Sequence, residues 1–437
     1  MDKNEIIKIL GDWNFWNKSI ATGTQRPFYL GKLQKLLTAK QIIVITGARR
    51  SGKSFIMRQL AENIIQQEGI DKKNILMINL EDPRFINLDV ALLQKIYETY
   101  LEFLQPKGKH YILLDEVQEV EKWEKWVLMM QELKKAQIII SGSNAKLLSR
   151  ELSTLLTGRH LSMQVLPLSF KEFLNFNGIS QYQQALHRDE VAIRGLLKSF
   201  IENGAFPEVV LREQKKELLL TYFDDILEKD LIKRYKVRKT EKFKEVLKFY
   251  FSNVSSLITF RSLSKSLEVS AETVEKFSAY FETNYLLFFL KRFSFKIREQ
   301  DKSPRKVYAV DVGLANTIGF RFSENIGRLI ENIVFLCLLK KSLTNPSFEI
   351  FYWKDERHKE VDFVLKDDIA IKQLIQVCWD LSDIKTRNRE VDALLKSSAE
   401  LQCDDLLIIT NEDEKQEEIK GKKIKFVPLW KWLLSEE

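Results

Sequence analysis

The most specific chemical pattern in the sequence is Gly47-Ala48-Arg49-Arg50-Ser51-Gly52-Lys53-Ser54, which fits G-x-x-x-x-G-K-[ST] at every fixed position. That spacing suits a phosphate-binding loop. Glycines let backbone N–H groups close around phosphate oxygens, and a helix N-terminus adds positive potential at the same place. Lys53 would reach the β- and γ-phosphates of a nucleotide, and the Ser54 hydroxyl would ligate Mg²⁺. The nucleotide-contacting set is then Gly47, Ala48, Arg49, Arg50, Ser51, Gly52, Lys53, Ser54 and Phe55. A second stretch, His110-Tyr-Ile-Leu-Leu-Asp115-Glu116, is an apolar strand ending in two acids. Asp115 would hold the Mg²⁺ shell and Glu116 would orient the attacking water. Alternatively, both acids only favour the N-terminus of a following helix.

The elements that must position these residues are legible around them. Gln41–Thr46 is a short β-branched run of the kind buried in a parallel sheet, and Phe55–Gln67 follows with helical periodicity. Further strands are expected at Asn74–Asn79, Tyr111–Leu114, Gln137–Ser141 and Met163–Leu166, with helical segments between them. That alternation predicts a parallel sheet covered on both faces, with its site at the carboxyl ends of the strands. Residues 1–40 read as helical with a break near Gly23–Pro27, and Trp13, Phe15 and Trp16 read as packing groups. Trp123 and Trp126, three apart, read as one packed helix face. Ser143 and Asn144 end a buried strand and would either touch the γ-phosphate or water, or cap the next helix, Lys146–Leu156. Arg159 follows Gly158 on a turn, free either to reach a neighbouring subunit's phosphate or to remain a surface arginine.

Composition excludes some classes. With 437 residues, 45% of them hydrophobic, the chain has the make-up of a multidomain globular protein. No apolar run reaches the ~18 residues of a membrane helix, and the first residues lack a signal-peptide core, so a cytoplasmic protein with no membrane partner is expected. Cys337, Cys378 and Cys403 are isolated, and the four histidines are scattered, which argues against zinc. The net charge of +8 is compatible with nucleic acid without requiring it.

Taken together, GARRSGKS, INLEDPR (78–84), YILLDEVQ (111–118), ISGSNAKLL (140–148), LTGRH (156–160), LPLSFKEF (166–173), GAFPEVV (204–210), KVYAVDVGLAN (306–316), ENIVF (331–335) and EVDFVL (360–365) make the chain resemble prokaryotic AAA-type ATPases that join a P-loop domain to a winged helix and a C-terminal nuclease-like domain. The resemblance implies an α/β protein of four parts. These are a P-loop parallel-sheet ATPase domain (1–166), a helical lid (167–240), a winged helix (241–306) and a degenerate PD-(D/E)xK restriction-endonuclease-like α/β domain (307–437). It also implies ATP and Mg²⁺ as cofactors. Lys53, Asp115, Glu116 and Asn144 would be the catalytic set. Arg159 would be a finger acting in trans, hence a homo-oligomer or partner interface.

In the lid, Glu228–Lys239 is a basic helical run that would be a solvated face or a phosphate contact. Two helices, Arg261–Leu267 and Ala271–Asn284, would form a helix-turn-helix with Ser270 as N-cap. The second helix offers Glu272, Glu275 and Lys276, a poor face for reading bases. The following hairpin, with Lys291, Arg292, Lys296, Arg298, Lys302, Arg305 and Lys306 against Glu299 and Asp301, would lie on DNA phosphates or be a solvated edge. In the last domain Glu331 would open a helix, and Glu331, Asp362 and an E-x-K strand would bind Mg²⁺. Gln376 and Cys378 stand at the E-x-K positions, so no nuclease activity is expected unless a lysine enters from elsewhere. Pro428–Leu434 reads as a docking helix. The functional expectation is an ATPase acting on DNA, with an ATP-gated switch for a protein partner as the alternative.

Overall fold

The computed structural model describes residues 1–144, 158–180, 190–319 and 326–436. They divide into two compact units, Met1–Val165 and Leu166–Glu437. The expected helix at 146–156 lies outside the described residues.

The first unit is built on five parallel strands: β1 (Ile42–Thr46), β2 (Ile75–Asn79), β3 (Tyr111–Asp115), β4 (Gln137–Gly142) and β5 (His160–Gln164), in the order β2-β3-β4-β1-β5. Both faces are covered, which is why β1 is buried throughout and its first four residues are apolar instead of alternating. Ile42 and Val44 enter one core, shared with α1 (Lys3–Trp13), α4 (Val90–Leu104) and α5 (Trp123–Glu132). Ile43 and Ile45 enter the other, shared with α2 (Pro27–Leu37) and α3 (Lys53–Gln67). Trp123 and Trp126 are buried in the first core. The N-terminal break is wider than expected, running from 14 to 26, because side chains rather than helix hold it. Asn14 exchanges two hydrogen bonds with the Met77 backbone, at 2.7 and 2.8 Å, and the Trp16 indole donates to the Ile75 carbonyl.

The second unit begins with α6 (Phe170–Phe176), α7 (Glu190–Asn203), α8 (Pro207–Leu211) and α9 (Lys215–Asp225), followed by a π-helical turn at Ile226–Lys233. The basic run at 228–239 is less basic in space than in sequence. Lys229 pairs with Asp225, Arg234 with buried Asp230, and Glu228 with Lys244. Next come α10 (Thr240–Ser252), α11 (Phe260–Leu267) and α12 (Ala271–Thr283), with Ser270 capping α12 as expected. These helices accompany an antiparallel sheet of β6 (Leu257–Ile258), β7 (Leu287–Leu290) and β8 (Arg305–Ala309), in the order β6-β8-β7. A short helix, α13 (Ile297–Lys302), fills the β7–β8 connection. Then follow α14 (Val312–Ile318), α15 (Ile326–Ser342), α16 (Ile384–Leu401), α17 (Leu429–Ser435) and a six-stranded mixed sheet. Its strands are β9 (Phe348–Lys354), β10 (Glu360–Asp367), β11 (Ala370–Val377), β12 (Leu406–Thr410), β13 (Lys415–Ile419) and β14 (Lys422–Pro428), ordered β13-β14-β12-β11-β10-β9. The C-terminal helix α17 buries Trp430, Trp432 and Leu433 within this unit. Strand β8 spans the boundary expected at 306, and Glu331 sits inside α15 rather than at its start, because the apolar periodicity of the helix extends back to Ile326.

Two sequence motifs here meet each other. Asp311 caps α14 through the Leu314 N–H at 2.9 Å and accepts from the Ala205 N–H at 2.6 Å. Gly204 turns at φ +75°, where a Cβ would lie 2.1 Å from Asp311 Oδ1. A Cβ on Gly313 would lie 2.1 Å from the Asn203 carbonyl oxygen. The glycines of GAFP and VDVGLAN are thus the contact surface between α7 and α14.

Two predictions follow from this contact. A helical Gly→Ala exchange normally gains about 1 kcal/mol, but the clash at Gly313 is with backbone that cannot rotate away. Gly313→Ala should therefore destabilise the second unit by about 1–3 kcal/mol in urea titration; a gain in stability would show that the contact is looser than described. Burial raises the Asp311 carboxyl to about 6, against its backbone hydrogen bonds. The folded value lies above the unfolded one, so its contribution is complete below the ordinary aspartate range and is lost as pH rises through about 6. The stability advantage of the wild type over Asp311→Asn should shrink from pH 4 to pH 7, and a constant difference would contradict the assignment.

Candidate functional site

The site of the first unit forms at the carboxyl end of β1, which lies between β4 and β5. The chain leaves β1 through Gly47, where φ is +142° and a Cβ would fall 2.1 Å from the Val165 carbonyl oxygen. It passes Arg50 at φ 69° and enters α3 through Gly52 at φ 98°. Those left-handed turns are why the loop needs glycine at both fixed positions. Arg26, itself buried, donates from Nη1 to the Ser51 carbonyl at 2.8 Å and so braces the loop from the N-terminal segment. Arg49 reaches sideways to Glu81, just past β2. Phe55 follows the loop in the first turn of α3. It is 45% exposed, with Arg58 over its ring and Gly23 against its edge.

Lys53 is buried at the loop's centre. Its ammonium donates to the carbonyls of Gly47 and Ala48 at 3.2 and 3.1 Å and lies 3.5 Å from Glu116 Oε1. Asp115 and Glu116 end β3 beside it. The hydroxyls of Ser141 and Ser54 bond the Asp115 carboxylate, yet burial and the neighbouring Glu116 charge push its carboxyl up. Glu116 sits in the left-handed region at φ 55°. It accepts from Gln118 Nε2 at 2.5 Å and from the Ser143 N–H at 3.2 Å. Burial alone would raise its carboxyl; the Lys53 ammonium and the Gln118 amide outweigh that and hold it below the ordinary range. The two adjacent acids are therefore pushed in opposite directions by their surroundings.

Four buried polar atoms around this loop have no hydrogen-bond partner among the described residues: Thr46 Oγ1, Ser51 Oγ, Ser143 Oγ and Gln164 Nε2. Orphaned buried groups are costly and uncommon, so four on one rim fit a polar guest such as a triphosphate with its hydrated cation. Asn144 is buried next to Ser143 at the same edge. Arg159 stands apart at the opposite end of β5, its side chain 45% exposed and paired with Glu132.

The expected residues of the second unit also converge, with one correction. Lys306, expected on a phosphate-facing hairpin, is buried. Its Nζ lies 2.7 Å from Asp362 Oδ1, 2.8 Å from Glu360 Oε1 and 2.9 Å from Glu331 Oε1. It alternates with Tyr308 along β8 on the side facing α15 and β10. The Tyr308 hydroxyl donates to the same Glu331 oxygen at 2.7 Å, and its ring stacks on Phe335. Asn332 bonds both the N–H and the carbonyl of Ala309, at 2.7 and 2.9 Å. Two other hairpin cations, Lys291 and Lys296, pair with Asp301 and Glu299. Gln376 faces the acids but is spent on structure: Oε1 accepts from the Asp362 N–H and Nε2 donates to Glu390. Cys378 is a buried thiol pushed up to about 12, chiefly by burial. The sequence reading left Glu360 and Tyr308 out of this cluster. The alternations Lys306-x-Tyr308 and Glu360-x-Asp362 are the signals that could have placed them on one strand face each. Among the described residues, no three His, Cys, Asp or Glu side chains form a ready metal site, and no helix is long and apolar enough to cross a membrane.

Residues 39–174 match the family described as an AAA domain; residues 194–324 and 326–432 match two domains of unknown function (DUF8612 and DUF4143). The chain is 34% identical over 413 residues to the uncharacterized protein MJ1544 of Methanocaldococcus jannaschii, covering 91% of this chain and 89% of that protein. It is 30% identical over 415 residues to an uncharacterized protein of Haemophilus influenzae, covering 93% and 98%. Among solved structures, the Walker-type ATPase PABY2304 of Pyrococcus abyssi aligns with a TM-score of 0.40 and 15% identity, over 68% of this chain and 96% of that one. The chain therefore belongs to the same family as the M. jannaschii and H. influenzae proteins, and it carries an AAA domain with the P-loop ATPase fold.

Proposed function

We propose that the chain binds ATP with Mg²⁺ at Gly47–Phe55 and hydrolyses it. The observation that carries this reading is Lys53. Its buried ammonium rests on two loop carbonyls and one carboxylate, beside four unpartnered polar atoms, so an incoming phosphate would exchange partners rather than create a new buried charge. Bound Mg²⁺ would neutralise developing phosphate charge. Ser54 and Asp115 are the residues that would hold it, and Asp115 is already oriented by Ser141. Glu116, held ionised by Lys53, would accept a hydrogen bond from the attacking water. The Ser143 N–H fixes that carboxylate, and Asn144, buried beside it, would meet the γ-phosphate or the water. Arg159, exposed and paired with Glu132, would turn to a neighbouring subunit's nucleotide.

The second unit would supply the target surface. In the DNA reading, α11 and α12 with the β7–β8 connection form a winged helix, and the C-terminal sheet is an inactive nuclease-like platform. A switch that binds a protein partner gains from three observations. Lys306 is withdrawn from the surface, Lys291 and Lys296 are paired, and α12 carries Glu272 and Glu275.

One measurement tests the site and a second separates these readings. Lys53→Ala should lower steady-state ATP hydrolysis by at least about 100-fold, since a phosphate-binding ammonium is worth several kcal/mol in the transition state; retention of wild-type turnover would overturn the site. Single-stranded, duplex or branched DNA should stimulate that rate at low salt and lose its effect as salt rises. A Lys53-dependent rate indifferent to every DNA would transfer the proposal to the protein-partner switch.

A further inference from the structure

We infer that the carboxylate centre of the second unit is filled by the chain's own cation: Lys306 occupies the position a divalent metal would take between Glu331, Glu360 and Asp362, and clasps β8 to α15 and β10. This goes beyond the ATPase reading and does not depend on it.

An ammonium has three N–H donors, and here each meets a different carboxylate, at 2.7, 2.8 and 2.9 Å. Lys306 is 1% exposed, so no water stands in for any of the three. The carboxylates are held in place by groups other than the lysine. Asp362 Oδ2 accepts from the Val377 N–H at 2.9 Å, Glu331 from Tyr308, and Glu360 from Lys354 at 3.0 Å. A tripod of oriented acids with a saturated cation at its focus leaves that focus occupied. The oxygens are spaced for an ammonium. Calcium, with oxygen ligands at about 2.3–2.6 Å and flexible geometry, would need them to close in by only a few tenths of an ångström once the lysine is gone. Magnesium, at about 2.0–2.1 Å and strictly octahedral, would need more.

The test uses the full chain without nucleotide. Ca²⁺ is titrated by calorimetry, and thermal unfolding is recorded with and without Ca²⁺. Wild type should bind no Ca²⁺ that depends on Asp362. Lys306→Ala should gain one Ca²⁺ equivalent per chain, with a melting temperature raised by Ca²⁺ by more than about 2 °C. Lys306→Ala/Asp362→Asn should lose both. Lys306→Met, which keeps the side-chain volume, serves if the alanine variant folds poorly, and recovery of its fold on adding Ca²⁺ would count as support. Asp362-dependent Ca²⁺ or Mn²⁺ binding by wild type would overturn the inference, because the centre would then be a metal site with Lys306 as an accessory group. Lysine variants that fold and bind no Ca²⁺, or that neither fold nor recover with it, would overturn it as well.

Discussion

A buried ammonium is tolerable only when its donors are matched, because leaving one unpaired in a protein interior costs several kcal/mol. Both units of this protein are arranged around that constraint and answer it differently. Lys53 is matched loosely, by two backbone carbonyls beyond 3 Å and one carboxylate at 3.5 Å, on a rim that still holds unpartnered hydroxyls. Lys306 is matched completely, by three carboxylates below 3 Å. The first arrangement can trade partners with a phosphate. The second has nothing left to trade and holds β8, α15 and β10 together.

The same contrast orders the acids. Asp115 and Glu116 share one strand end, yet burial drives one carboxyl up while Lys53 drives the other down. Adjacent carboxylates with opposed surroundings suit divided roles, one toward a cation and one toward water. In the second unit, burial and the Asp362 charge push Glu331 up, while Lys306 overcomes burial to keep Glu360 low. There the division serves charge balance around a fixed lysine.

The P-loop fold was legible because its residues are local in sequence. Gly47, Gly52, Lys53 and Ser54 sit within one loop, and the continuous apolar run of β1 states that both sheet faces are covered. The place of Asp115 at a strand end could be read from an apolar run ending in acids. What was not legible depends on pairs far apart. Nothing in a run of lysines and arginines from 291 to 306 says that the last one turns inward, because the three acids that draw it in lie 25 to 56 residues later. Gly204 and Gly313 lie more than a hundred residues apart in separate motifs; only the packing of α7 on α14 shows that each is small because a backbone or carboxylate oxygen occupies the Cβ position. The bracing of the Ser51 carbonyl by Arg26 was hidden for the same reason.

The central claim is that Lys53 and Glu116 divide binding from turnover within one buried pair. Its most direct test is to measure ATP binding and single-turnover hydrolysis side by side in Glu116→Gln. The account predicts that this variant, relieved of the carboxylate that competes for Lys53, binds ATP at least as tightly as wild type and hydrolyses it at least about 100-fold more slowly. Hydrolysis at the wild-type rate, or weakened binding with hydrolysis of the bound nucleotide unchanged, would contradict it.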